Sequence, residues 1–407
     1  VIGTARTGST IGLALAGGGP EGAIYEIGAL RALDEALDGV DFGRIPVSVG
    51  VSSGAFIASC LANNLSTAQM CRAIVKHEPG EHPFVPETFM TPALAEMLRR
   101  GARVPWIAVE ALWDYVSHLS DRKLLDSMTR LGRALPVGLF DGNPLRVYLE
   151  RIFNLPGRSD DFRRLRNRLI VVATDLDSGR QVRFGEPGLD HVPISRAVQA
   201  STALPGLYPP VEIEGRHYVD GVLLKTVHAS VAFDLGAELV LCVNPIVPVD
   251  TIRSVETGAM RRGKLSNRGL PTVLSQTFRT IIHSRMNVGI ASYEHRYGDR
   301  DILVFEPRRD DYEMFFSNVF SFAKRKKVCE HAYRSTLDQL RSERRRIEPV
   351  LARHGIRLRD EVVNDQHRDL WSSVRLHDRR PGSRSPIKVQ LDSVLRQVEA
   401  LVEERQS

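Results

Sequence analysis

Apolar residues along the chain gather into short unbroken runs, each closed by glycine, proline or a polar turn. The runs are IGLALA (11–16), VSVGV (47–51), LIVVATDL (169–176), ELVLCVNP (238–245) and DILVFEP (301–307). Continuous apolarity over five to eight residues predicts strands of a sheet covered on both faces, since a half-exposed strand would alternate. Between the first two runs, Ile24, Ile27, Leu30, Leu33 and Leu37 recur at helical spacing and predict a helix over Ala23–Leu37. The small-residue stretch AFIASCLANN (55–64) predicts a second. Strand, glycine loop, helix, strand, glycine turn, helix is the order of a mostly parallel α/β sheet flanked by helices in three layers. Such a sheet gathers its chemistry at the C-terminal ends of its strands.

The rhythm breaks over residues 65–150, where Phe84, Phe89, Met90, Met97, Trp106, Trp113 and Tyr115 lie in irregular or helical, proline-containing stretches. This segment is expected to form an inserted cap or lid within a catalytic domain spanning 8–310. Residues 311–407 are expected to be a basic helical C-terminal extension. Its runs KRKK (324–327) and RSERRR (341–346) suit solvated helix faces, and HDRRPGSRSP (377–386) suits a linker. Val389, Leu391, Val394, Leu395, Val398 and Leu401 then share one helical stripe, able to dock on the protein, on a second copy in a homo-oligomer, or on a membrane surface.

Charge sharpens this division. Residues 1–250 hold 24 Lys and Arg against 28 Asp and Glu, and residues 251–407 hold 31 against 21. The basic second part suits an anionic lipid surface. Nucleic acid is not expected as a partner, because no aromatic-basic module accompanies the charge. The four cysteines, Cys60, Cys71, Cys242 and Cys329, are scattered without a CxxC or Cys/His cluster, which predicts reduced thiols, no metal site and a cytoplasmic setting. No run of 18 apolar residues predicts a membrane-spanning helix. The apolar run near Arg6 is too short for a signal sequence, and cleavage after Ala16 would remove the first strand. The chain starts at Val1 rather than Met, which leaves an upstream targeting segment open.

Two motifs carry chemistry. Gly50-Val51-Ser52-Ser53-Gly54 fits G-x-S-x-G between a predicted strand and a predicted helix, the setting in which a serine nucleophile sits on a sharp elbow. A serine needs a base, and Asp220 in HYVDGV is delivered by an apolar strand into a glycine turn. His217 and His228 are the bases that a Ser-His-Asp esterase would use instead. The run Gly17-Gly18-Gly19 after the first strand presents backbone N–H groups; with no GKS/T after it, a nucleotide phosphate is a poor ligand.

Together, GGG after the first strand, GxSxG one βα unit later, and the stretch ASTALPGLYPP…GRHYVDG (200–221) resemble the patatin-like phospholipase family over residues 11–250. The resemblance implies a Ser–Asp dyad without histidine. Ser52 matches the nucleophile, Asp220 matches the activating aspartate, and Gly17, Gly18 and Gly19 match the oxyanion loop. Asp141, in a second DG, falls outside the motif and is assigned a structural role. Two positions depart from the family pattern. Glu21 stands where Lys or Arg is common, so the loop itself offers no cation to a phosphate, and Val222 stands where Gly or Ala usually follows the DG. The resemblance implies a lipid acyl hydrolase of phospholipase A or lysophospholipase type, working on membrane-derived esters without a cofactor. Reversible membrane contact is expected through the apolar residues of the cap, at the inner face of the membrane; the rivals are a soluble esterase and a catalytically silent lipid-binding or scaffold protein.

Overall fold

The computed structural model describes residues 9–76, 91–93, 137–256, 265–309 and 322–376. Its elements in chain order begin with β1 (Ile11–Leu15), α1 (Gly19–Ala36), β2 (Leu37–Asp38), β3 (Val47–Val51), α2 (Ser53–Ala62) and α3 (Thr67–Met70). After α4 (Asn143–Phe153) come β4 (Arg168–Asp175), β5 (Gln181–Phe184), α5 (Ile194–Ser201), β6 (Val211–Ile213) and β7 (Arg216–Asp220). The remainder is α6 (Ala229–Asp234), β8 (Leu239–Val243), α7 (Thr251–Glu256), α8 (Leu270–Arg296), β9 (Asp301–Phe305), α9 (Phe322–Ser342), α10 (Arg344–Arg353), β10 (Arg357–Leu358), α11 (Asp360–Val363) and α12 (Leu370–Leu376).

Eight strands form one mixed, mostly parallel sheet in the order β6-β7-β4-β3-β1-β8-β9, with β5 also paired to β4. The neighbours β4, β3, β1, β8 and β9 run parallel, while β5, β6 and β7 are antiparallel additions at one side. The continuous apolar runs have the expected cause. Leu13 and Leu15 of β1, with Leu239, Leu241 and Val243 of β8, face a core shared with α1, α2 and α9. Ala14 and Ala16, with Val240 and Cys242, face a second core under α6 and α8. Alternate side chains therefore enter opposite layers, as the strand repeat requires.

The first helix begins at Gly19, four residues before the predicted start at Ala23. Periodicity cannot see a first turn built of glycine and proline. Pro20 falls in that turn, where a helix makes no use of the N–H that proline lacks. Within the span assigned to the cap, residues 65–76 and 137–150 pack on the main body, with Met70, Cys71, Ile74 and Leu149 in the first core. Phe84, Phe89, Met90, Met97, Trp106, Trp113 and Tyr115 lie outside the described residues, as do the linker at 377–386 and the stripe at 389–401.

Beyond residue 321 the helices pack on the sheet's helical layer. α9 lies along α1, and β10 pairs antiparallel with β2. The KRKK run is not wholly a solvated face: Arg325 is buried and its guanidinium donates to the Ile74 carbonyl at 3.4 Å. The RSERRR run does carry surface ion pairs, with Arg344 bridging Glu348 and Asp360. All four cysteines are free thiols in the interior. No helix among the described residues is long and apolar enough to cross a membrane.

Candidate active site

The glycine-serine turn between β3 and α2 has the geometry that its sequence requires. Ser52 has φ 54° and ψ −124°, a left-handed backbone that costs a serine about 1–3 kcal/mol and survives only where the surroundings impose it. Two hydrogen bonds show how they do. The Ser52 N–H donates to the Ser201 hydroxyl at 2.8 Å, and that hydroxyl donates to the Val172 carbonyl of β4 at 2.6 Å. Crowding does the rest: a Cβ added at Gly54 would sit 2.4 Å from the Leu15 carbonyl oxygen, so only glycine lets α2 start against β1.

Asp220 ends β7 and is buried. Its carboxylate accepts the Val222 N–H at 2.9 Å, and the Ser52 hydroxyl beside it favours its charged form. Its own N–H donates to the Ala203 carbonyl at 3.0 Å, and its carbonyl accepts from the Thr174 hydroxyl at 3.2 Å. One short stretch at the end of α5, residues 201–203, thus holds the backbone of both Ser52 and Asp220. Burial pushes the Asp220 carboxyl up to about 7, against the opposing pull of the Ser52 hydroxyl and the Val222 N–H. A carboxylate at that value is suited to exchange protons near neutrality. Val222 donates the N–H that holds Asp220, and its side chain packs beside Gly17. The branched residue therefore narrows the site while leaving the pair in contact.

Two helices begin at this pair. α2 starts at Ser53, next to the nucleophile, and α1 starts at Gly19, with Gly18 as an N-cap that makes no side-chain capping bond. Helix N-termini concentrate unsatisfied N–H groups and partial positive charge, a setting for an oxyanion. Gly17 stands directly against Ser52: a Cβ there would be 3.0 Å from the Ser52 Cβ and 3.1 Å from Val222 Cγ2. Gly18 abuts Pro245, which follows β8, and Gly19 takes φ 61° at the mouth of α1.

The structure brings Gly17, Ser52 and Asp220 together, and neither candidate histidine makes a hydrogen bond or ion pair with Ser52 or Asp220. His217 is exposed on β7, its Nδ1 4.0 Å from Asp177. His228 is buried at the N-cap of α6, beside the carbonyls of Gly221 and Lys225. Burial, aided by the Lys225 charge, pushes it down to about 3, so it stays neutral. Asp141 caps α4, accepting the Asn143 N–H at 2.8 Å. Two residues of the surroundings were not singled out in the sequence. Ser201 lies inside the recognised ASTALP stretch, where only its neighbours' spacing drew attention. Arg279 of α8 places Nη2 3.9 Å from Glu21 Oε2, forming an ion pair one turn from the glycine loop. Nothing local in the sequence signals that pairing, because 258 positions separate its members.

A family model described as patatin-like phospholipase matches residues 13–233, more than half of the chain. Among solved structures, VipD from Legionella pneumophila is similar at 15% identity, over 82% of this chain and 67% of that one, with a TM-score of 0.38. The family match runs from β1 into α6 and so contains the glycine loop, the serine elbow and the strand that ends at Asp220. The chain belongs to the patatin-like phospholipase family.

Proposed function

We propose that the protein is a serine acyl hydrolase that cleaves carboxylic esters of membrane-derived lipids through Ser52 and Asp220. The observation that carries this reading is the buried Asp220 carboxyl standing beside the Ser52 hydroxyl at a strained strand-to-helix elbow. Asp220 takes the hydroxyl proton as Oγ attacks the ester carbonyl carbon. The negative oxygen forms against the N–H groups of Gly17, Gly18 and Gly19, and preorganised donors of this kind contribute about 3 kcal/mol each. Collapse of the tetrahedral species breaks the bond to the alcohol, which leaves with the proton from Asp220. Water then gives a proton to Asp220 and attacks the acyl-serine, and Ser52 departs with its proton restored. Each step uses the same carboxylate, and no histidine takes part.

The Glu21–Arg279 pair bears on substrate choice. Glu21 does not project a lone negative charge at the loop, because a guanidinium from α8 answers it. Anionic headgroups are therefore compatible with the entrance, and phospholipid esters belong in the substrate panel beside neutral glycerides.

The test is a fluorophosphonate probe with a lipid-class hydrolysis panel. The parent chain is expected to label and to release fatty acid. Ser52→Ala should abolish both, and Asp220→Asn should lower hydrolysis by at least about a thousandfold. Full activity in Asp220→Asn, together with its loss in His228→Ala that still folds, would replace the dyad by a histidine mechanism. A parent chain that neither labels nor hydrolyses any lipid would leave a silent member of the family.

A further inference from the structure

Helix α8 runs past the rim of the site and is tied to three of its loops. Gln276 clamps the backbone of Val249, after β8, donating to its carbonyl at 2.8 Å and accepting its N–H at 3.1 Å. Arg279 reaches Glu21, after β1, and Arg285 donates to the Leu223 carbonyl, after β7, at 3.3 Å. Thr226, from the same loop as Leu223, donates to the Ile282 carbonyl at 3.4 Å. The inner face of the helix is apolar as expected: Met286 and Tyr293, with Ile282 and Ile290, close the second core.

The outer face is apolar as well. Leu274, Phe278, Ile281 and Val288 fall on one stripe at spacings of four, three and seven, and they are 47%, 55%, 50% and 70% exposed. Val273 flanks them, also exposed. An exposed apolar stripe of this length calls for a burial partner, and none of the described residues covers it.

Charge names the second partner. Residues 270–293 contain no aspartate or glutamate. Arg285 lies on the exposed side in line with the stripe, and Lys225 and Arg296 stand exposed near it. An apolar stripe edged by cations is how an interfacial helix meets anionic lipid. A two-fold contact between copies would instead bring these cations together without an acid from the stripe to pair them. We infer that the outer face of α8 is the surface by which this protein docks on an anionic phospholipid bilayer, with the Ser52 entrance turned to the same membrane. The choice of lipid as occupant rests on the hydrolase reading above. The expectation from sequence put membrane contact on the cap, whose aromatic residues lie outside the described ones, whereas α8 offers the surface that can be seen.

The experiment is co-sedimentation of the full chain, carrying Ser52→Ala so that lipid is not consumed, with vesicles of phosphatidylcholine alone or mixed with phosphatidylglycerol. Binding should require the anionic lipid and weaken with salt. Phe278→Glu with Ile281→Glu should reduce it at least about tenfold, and Arg285→Gln by roughly fivefold. In the chain with Ser52 intact, the same paired substitution should leave hydrolysis of a soluble short-chain ester within about twofold. Unchanged sedimentation of the paired variant would overturn the proposal. So would light scattering showing that the variant splits a dimer while vesicle binding persists. Vesicle binding that is lost in the paired variant, in a protein that hydrolyses no ester, would uphold the docking face and overturn the hydrolase reading.

Discussion

Asp220 is the residue at which burial, stability and reactivity meet. A carboxyl kept out of water prefers its proton, and the fold imposes that cost for the sake of the contact with Ser52. Because its folded-state value of about 7 exceeds the ordinary 3.8, the folded chain holds a proton that the unfolded chain gives up. Below about pH 4 both forms are protonated and nothing is lost. Between about pH 4 and 7 the native state loses stability as pH rises, and above 7 the whole cost is present. That cost is on the order of 4 kcal/mol, since a tenfold change in proton affinity is worth about 1.4 kcal/mol. Asp220→Asn should therefore melt at a higher temperature than the parent at about pH 8 and at a similar temperature at about pH 4. Hydrolysis of a soluble ester should rise with pH and reach half its plateau at about pH 7, where the base becomes free. Equal melting curves at about pH 8, or an activity profile flat from about pH 5 to 9, would remove Asp220 from this role. The identity of this residue was legible in HYVDG and its family resemblance; its burial was not, since a short motif does not say what covers it.

At the scale of elements, the end of α5 fixes the proposed Ser52–Asp220 pair. Ser201 occupies the gap between the elbow and β4, and its hydroxyl accepts from one backbone and donates to another. Ser201→Ala would leave a buried N–H and a buried carbonyl without this partner, at a cost of about 2–4 kcal/mol. It should also loosen Ser52, lowering kcat about tenfold or more with little change in KM. A calorimetric scan and a rate assay on the same preparation check both parts; a stable, fully active variant would show the elbow is held by other contacts. The large parallel strands and the first two helices were legible because each has an apolar pattern of sufficient length. The antiparallel strands β5, β6 and β7 were not, as three to five residues with exposed members carry little periodicity. α8 escaped for the opposite reason. Its apolar residues divide between an inner and an outer stripe with serine, threonine and asparagine among them, so no single amphipathic pattern stands out.

The family match ends at residue 233, yet the molecule does not close there. Helix α1 packs its inner side on the sheet and its outer side on α9, and the contact is tight enough to exclude side chains. A Cβ added at Gly28 would meet the Cys329 backbone carbonyl oxygen at 2.2 Å and the Ala332 Cβ at 3.0 Å. Beside it, Glu35 accepts from Tyr333 at 2.6 Å and from Arg368 at 2.8 Å, and pairs with Arg31. Burial alone would raise Glu35, but Arg31, Ser373, Tyr333 and Arg368 together hold it below the usual carboxylate range. The helices beyond residue 321 thus cover α1, whose first turn follows the Gly17–Gly19 loop. Gly28→Ala tests this arrangement, because two effects of opposite sign compete there. In an isolated helix, alanine in place of glycine stabilises by about 1 kcal/mol. Against a backbone carbonyl, the added methyl must push α9 outward, and overpacking of this kind costs about 1–3 kcal/mol. A carbonyl cannot rotate aside as a side chain can, so the second effect should win and the melting temperature should fall. A rise would mean that α9 does not pack on α1 as described, and that residues beyond 321 leave α1 uncovered.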